Sequence, residues 1–314
     1  MRHRVDEPLD GAPAPTSPVE PPTGRQDIGA LREWLDEAWA ATAFVRVLAG
    51  GEDGGPLQAR RRLGRVEAPG TLALLRTLTV DGTPTGDRCR CHGSLTLALH
   101  DADDRTLGTA SLHGSDGVLW EGGRFGGLLE APDPAGLALL LARSGAVQRL
   151  GTMSAGVAHA LGLREGPTRF RTADPGPDGA ALLEHRRVPR ALRPWPAGIS
   201  GRDRAGLDEA RVAQLRALLV AAEPDEGRRT VELLGWLGSL PGPMDEHCGE
   251  GALVNALLTD LDPITAALCA DDHPVDPRVG LGLLRWAGKL APDTRLPAGD
   301  LEVLVELVEP VLRH

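Results

Sequence analysis

The chain carries a single lysine, Lys289, against 33 arginines; it has one asparagine, Asn255, and no tyrosine at all. These scarcities, set beside 40 glycines and 26 prolines, mark a GC-rich coding bias. Arginine is simply the basic residue this chain uses, so an arginine cluster is no signature of nucleic acid by itself. The shortage of positive charge excludes more. With a formal net charge of −10, the surface repels a phosphate backbone unless a segregated basic face exists. Nucleic acid is therefore not expected as a partner.

Long apolar runs are missing too. The longest near a helix, Leu137 to Ala142, is six residues, against the ~20 needed to span a bilayer, so no membrane span is expected. Arg2, His3 and Arg4 are followed by Asp6, Glu7 and prolines, which does not read as a secretory signal, and the protein is expected in the cytoplasm. Cysteine is sparse: Cys89, Cys91, Cys248 and Cys269 fall in two regions without a disulfide-rich spacing, which fits a reducing compartment.

Catalytic signatures are likewise lacking. Around Ser154 the first glycine, Gly151, stands one position too early for a nucleophile elbow. The glycine-rich stretches 49–55 and 122–127 lack the lysine of a phosphate loop and the strand-to-helix context of a dinucleotide fingerprint. Asp101, Asp103 and Asp104 begin like a calcium loop, but Leu112 occupies the position that requires a bidentate carboxylate.

What is present divides the chain into four parts. Residues 1–26 hold prolines among small and acidic residues and are expected to be a disordered tail. Residues 27–165 read as a small α+β domain. A helix runs through Ile28, Leu31 and Leu35, a strand over Phe44–Leu48, and a short helix follows Pro69-Gly70. The clearest local signal is the alternation of Leu95, Leu97 and Leu99 with small or polar residues. After a polar turn at 101–105 the chain resumes over 106–113, which predicts a β-hairpin. A further strand lies around Val118–Trp120, and Asp133-Pro134 opens a helix that stops at Gly145. A sheet of three to five strands with helices on one face follows. Residues 166–206 are rich in proline and arginine and read as a linker, or as an ordered strap anchored by Trp195.

From residue 207 to 314 everything is compatible with helices, and here lies an internal repeat. Residues 224–261 align with 274–311 without a gap at an offset of 50. Leu233-Leu234-Gly235-Trp236-Leu237-Gly238 stands over Leu283-Leu284-Arg285-Trp286-Ala287-Gly288, and Leu253-Val254 over Val303-Leu304. In helix pairs related in this way, Trp236 and Trp286 are expected to be equivalent core anchors. The segment 207–314 resembles HEAT-like α-helical repeats, whose units of about 40–47 residues are antiparallel helix pairs that stack and present a binding surface. The fold class expected for the whole is an α+β domain followed by an all-α domain of duplicated helix pairs.

Two constellations are candidate sites. Arg186, Arg187, Arg190 and Arg193, with Trp195 alongside, form a basic run in an acidic chain that would suit an acidic partner or a nucleic-acid backbone, although coding bias and a solvated linker also explain it. Cys89, Cys91, His92 and His113 offer soft ligands for zinc, since a turn at 101–104 sets His113 across from His92. Strand parity divides that set. It puts Cys89 and Cys91 on the leucine face at the core edge and leaves the histidines on a solvated polar face, unless the chain bends at Cys91. The expected function is a non-enzymatic protein-binding adaptor or scaffold. The alternative is a metal-dependent enzyme or metal-binding module using the Cys89/Cys91/His92/His113 hairpin region, built on the outward face of the hairpin where His92, His100 and His113 stand with nearby hydroxyls.

Overall fold

The computed structural model describes residues 28–51, 54–85, 91–163, 181, 183–193, 209–241, 249–270, 276–291 and 294–313. An α+β region precedes an all-α region, as the sequence predicts. Helix α1 (Ile28–Ala40) leads into β1 (Phe44–Ala49) and β2 (Arg62–Val66), followed by α2 (Pro69–Val80) and the two-residue strand β3 (Thr83–Pro84). The hairpin β4 (Leu95–His100) and β5 (Thr106–His113), β6 (Gly117–Trp120), β7 (Leu129–Glu130) and α3 (Pro134–Arg143) complete the region. The strands form one antiparallel sheet of seven in the order β2-β1-β4-β5-β6-β7-β3. It exceeds the three to five expected because β3 and β7 are too short to carry a periodic signal.

Alternation decides which face is apolar. Val45, Val47, Leu95, Leu97, Leu99 and Leu112 share a core with Leu35 of α1, Leu75 of α2 and Leu137 of α3. Burying each such side chain is worth about 1.5–3 kcal/mol. Trp120 seals this core: its ring meets Trp34 and Trp39 edge to face at 6.0 and 6.3 Å, and its indole N–H donates to the Thr79 carbonyl at 3.1 Å. The opposite face carries Thr96, His100, Ser111 and His113, and these are buried as well. Arg60 reaches over it to donate to Thr96 Oγ1 at 2.5 Å, and the Thr96 hydroxyl donates to the Gly50 carbonyl at 2.8 Å. That face is covered and polar, whereas alternation alone makes it solvated.

A tight turn at Val147–Met153 and helix α4 (Ser154–Ala160) connect the sheet region to the helices. Ser154 is the first residue of α4, and Met153 precedes it as an N-cap without a side-chain hydrogen bond. The helices are α5 (Glu209–Ala222), α6 (Glu226–Gly238), α7 (Gly249–Leu258), α8 (Pro263–Leu268), α9 (Pro277–Lys289) and α10 (Ala298–Leu312). Asp225 and Asp276 cap α6 and α9, accepting from the Arg228 and Arg278 amides at 2.7 and 2.8 Å. The leading helices of the two repeated segments cross closely. A Cβ on Gly282 would lie 2.1 Å from the Leu234 carbonyl, and one on Gly238 would collide with the Arg278 carbonyl.

The helical core does not begin at residue 207. It includes Ala138, Leu139, Val147 and Leu150, while Leu137, Leu140 and Leu141 lie in the sheet core, so α3 serves both cores. Arg149 on the 147–153 turn joins them further, its guanidinium donating to the Gly114 and Ser115 carbonyls at 2.7 and 2.8 Å. Burial pushes Arg149 down to about 10 against the pull of Asp116, which leaves it charged at neutral pH. At the surface, Arg143 meets Glu302 and Arg313 meets Asp133 at 3.2 and 2.8 Å.

Candidate functional site

Residues 183–193, within the proline- and arginine-rich stretch, are packed against the helices. Leu183, Val188 and Leu192 are buried in the helical core, and this pins the arginines between them in defined directions. Arg186 points inward, to an ion pair with Glu250 in which the two side chains are 3% and 2% exposed. The Trp236 indole N–H donates to the other oxygen of Glu250 at 3.2 Å. Burial pushes the Glu250 carboxyl up, outweighing Arg186 and Trp236, which hold it down. Arg186 is thus a structural pin, and the surface role expected for it does not hold.

Arg187, Arg190 and Arg193 do stand at the surface, along a cleft of about 660 Å³ between this strap and helices α5, α6 and α9. Its floor is apolar, built from Leu219, Val231 and Val279. Its walls carry both signs of charge. Arg187 pairs with Asp276 at 2.7 Å, and Arg193 Nε donates to the Val188 carbonyl at 3.1 Å. Arg190 is exposed and makes no ion pair among the described residues, though its charge reaches Glu232. Partial burial and the neighbouring Glu223 raise the Glu232 carboxyl, with Arg190 opposing them. The cleft is therefore not the basic patch that the run of arginines suggests. Trp195 lies outside the described residues.

The second constellation is partly assembled. Cys91 Sγ lies 3.2 Å from His113 Nδ1, and Ser111 Oγ lies 2.8 Å from His113 Nε2. Cys91 is exposed and carries a thiol, whereas His113 is 2% exposed. This burial is the reverse of the parity expectation. The chain bends at Gly93, whose φ of +75° takes it out of strand geometry, so alternation does not extend from Leu95 back to Cys91. The hairpin register also differs. Leu95 pairs with Leu112, displaced by two residues from the register that opposes His92 to His113, and a bulge falls between Leu99 and His100.

The histidines do not gather into one site. His92 is exposed, and Cys89 lies outside the described residues. His100 is at the far end of the hairpin, stacked on Phe44 at 5.0 Å with its Nδ1 3.1 Å from Asp104 Oδ1. Among the described residues no group of three or more His, Cys, Asp or Glu side chains could hold a metal ion. No described helix is long and apolar enough to cross a membrane. Ser111 and Glu250 are the residues sequence reasoning missed. Ser111 had a signal, since it sits two positions from His113 on the same strand face; Glu250 had none.

The fold defines a class, a seven-stranded antiparallel α+β layer joined to an all-α region. Beyond that class no particular relative emerges: no family model, curated protein or solved structure matches the chain.

Proposed function

We propose that the protein is a cytoplasmic, non-enzymatic adaptor whose helix pairs stack as HEAT-like repeats and whose strap cleft holds a segment of a partner protein. The observation that supports this reading is Arg190, an exposed guanidinium on the lip of an apolar-floored cleft with no ion pair among the described residues. A carboxylate on an extended peptide would pair with Arg190, while an adjacent apolar side chain rests on Leu219, Val231 and Val279. The carboxylates of Glu184, Glu223 and Glu232 on the same walls disfavour a phosphate backbone and leave a protein as the partner. The test is purification of the full chain from its native host beside the double variant Arg190→Glu, Arg193→Glu. A stoichiometric partner should come with the wild type and be lost from the variant. Equal recovery with both would sink the cleft as the docking site.

A second reading, a metal-dependent enzyme or metal-binding module on the hairpin, is favoured by the contact of Cys91 Sγ with His113 Nδ1. Stoichiometric zinc in the purified chain would support it.

A further inference from the structure

The outer face of the sheet brings together arginines from both strands of its edge. Pairing of β1 with β2 sets Arg65 across from Arg46 and Arg62 across from Leu48, and β1 in turn sets Leu48 across from Thr96 and Phe44 across from His100. The irregularity between Val47 and Leu48 lets Arg62 and Arg65, three positions apart in β2, share this face. Arg60 joins them from the turn before β2, donating from Nε to the Gly55 carbonyl at 2.8 Å and from Nη1 to Thr96 Oγ1. Arg46, Arg60 and Arg62 line a cleft of about 350 Å³ with buried Leu48 and half-buried Leu57. The carboxylate among its described lining residues is Asp104, and both of its oxygens are engaged. Oδ2 accepts from Arg46 Nη2 at 2.7 Å, and Oδ1 lies 3.1 Å from His100 Nδ1. That leaves positive charge over. Arg62 is exposed and makes no ion pair among the described residues, and Arg46 meets Asp104 through one nitrogen only, its Nε being buried without a hydrogen-bond partner. Like charges side by side on one sheet face repel one another, so an anion seated among them would be held.

We propose that this cleft binds the phosphate group of a small phosphate monoester, with Arg62 and Arg46 gripping the phosphate and Leu48 and Leu57 flanking its carbon portion. The three arginines outnumber Asp104 by two, an excess that a phosphate dianion balances and a carboxylate does not. Guanidinium forks match phosphate oxygens two at a time, which is why convergent arginines recognise this group better than a single point charge would. The apolar walls select an ester over the bare ion. The size of the cleft and its surroundings select a small molecule over a polymer. Asp101 and Asp103 stand on the turn that carries Asp104, and the whole chain has a net charge of −10, so an extended phosphate backbone or an anionic membrane would be repelled just outside the cleft. Sequence gives no hint of this grouping, because Arg46 and Arg62 meet only through the register of β1 and β2. The site is separate from the strap cleft and does not depend on the function proposed for it.

The experiment is isothermal titration calorimetry of the full chain at neutral pH, with phenyl phosphate and inorganic phosphate as the probes. Phenyl phosphate should bind saturably at a single site, and more tightly than inorganic phosphate. Arg62→Ala should weaken it by about tenfold or more, the worth of a charge-assisted hydrogen bond. Asp104→Asn removes the competing carboxylate and should tighten binding several-fold, a gain that misfolding cannot produce; asparagine also tolerates the φ of +65° at this position. Arg228→Ala, which removes an exposed arginine from helix α6, should bind as the wild type does. Thermal melts check that each variant is folded. Absence of saturable binding of either probe would overturn the proposal. So would a folded Arg62→Ala chain that keeps the wild-type affinity, or Asp104→Asn binding that is no tighter. Inorganic phosphate bound as tightly as phenyl phosphate would overturn the choice of an ester. Tighter binding of single-stranded DNA or of anionic lipid vesicles, lost in the same Arg62→Ala variant, would overturn the choice of a small molecule.

Discussion

The two copies of the repeated segment align residue by residue in sequence, yet they bury different things. Trp236 of the first copy is fully buried and hydrogen-bonded to Glu250, whereas Trp286 of the second is only half-buried at the edge of the same core. One position earlier the contrast runs the other way. Gly235 leaves room beside the side chain of Arg187, while its counterpart Arg285 is buried and donates to the Leu237 and Leu240 carbonyls at 2.6 and 2.9 Å. Those carbonyls lie at and just beyond the C-terminal end of α6, so the second copy helps to cap the first. Burial pushes Arg285 down to about 10, and it too stays charged at neutral pH. The trailing helices diverge as well: α7 of the first copy ends at Leu258, where α10 of the second runs on past the equivalent position to Leu312, with Pro310 inside it. Duplication preserved the leading helix of each pair. The neighbours each copy received then decided which side chains became core, because the first copy is covered by the strap and the second by the 147–153 turn.

The tryptophans test that difference most severely. Trp236→Ala should cost about 3–5 kcal/mol as a core truncation, and it removes a donor from buried Glu250 as well. Trp286→Ala should cost less, about 1–2 kcal/mol, since part of its surface is already in water. Urea unfolding of the two variants reads both; equal losses would mean the copies are equivalent after all.

Glycine substitutions probe the same helices with a smaller expected effect and opposite signs. Gly282→Ala places a methyl against the Leu234 backbone and should destabilise by about 1–3 kcal/mol despite its better helix propensity. Gly235→Ala meets nothing closer than 3.7 Å and should stabilise by up to about 1 kcal/mol. A stabilising Gly282→Ala would show that the two leading helices are not in backbone contact.

The smallest effect concerns the cleft. Glu232 has its carboxyl raised above the ordinary 4.5 by partial burial and by Glu223. A carboxyl raised in the folded state costs stability when ionised. Glu232→Gln should therefore stabilise the protein at neutral pH, by a few tenths of a kcal/mol because the group is exposed to solvent. The gain should vanish as pH falls through the raised value toward 4.5, once the wild-type carboxyl is protonated in the folded state. Denaturant titrations at neutral and acid pH would show it, and a gain that persists in acid would assign it to something other than charge.

Much of the architecture was legible because it is written in local periodicity. The alternating leucines of β4 made the hairpin, and Asp133 with Pro134 and Gly145 bounded α3 by capping chemistry that needs only neighbours in the chain. The register of the hairpin was not legible, since the loop at 101–105 and the bulge before His100 exchange hydrogen bonds that no alternation encodes. The arginine run shows the same limit. Four arginines within eight residues look alike in sequence, but Val188 and Leu192 turn the strap so that Arg186 enters the core and Arg190 faces water.

The sequence by itself determined that this is an α+β region followed by duplicated helices, because apolar spacing dictates which faces must be covered and so which elements can form. Only the tertiary structure decided what each functional side chain touches. It set Cys91 on His113, closed Glu250 around Arg186 and Trp236, and paired Arg187 with Asp276. These contacts join residues 14 or more positions apart, so they depend on how whole elements dock, and docking is a property of the packed core that no short stretch of chain carries.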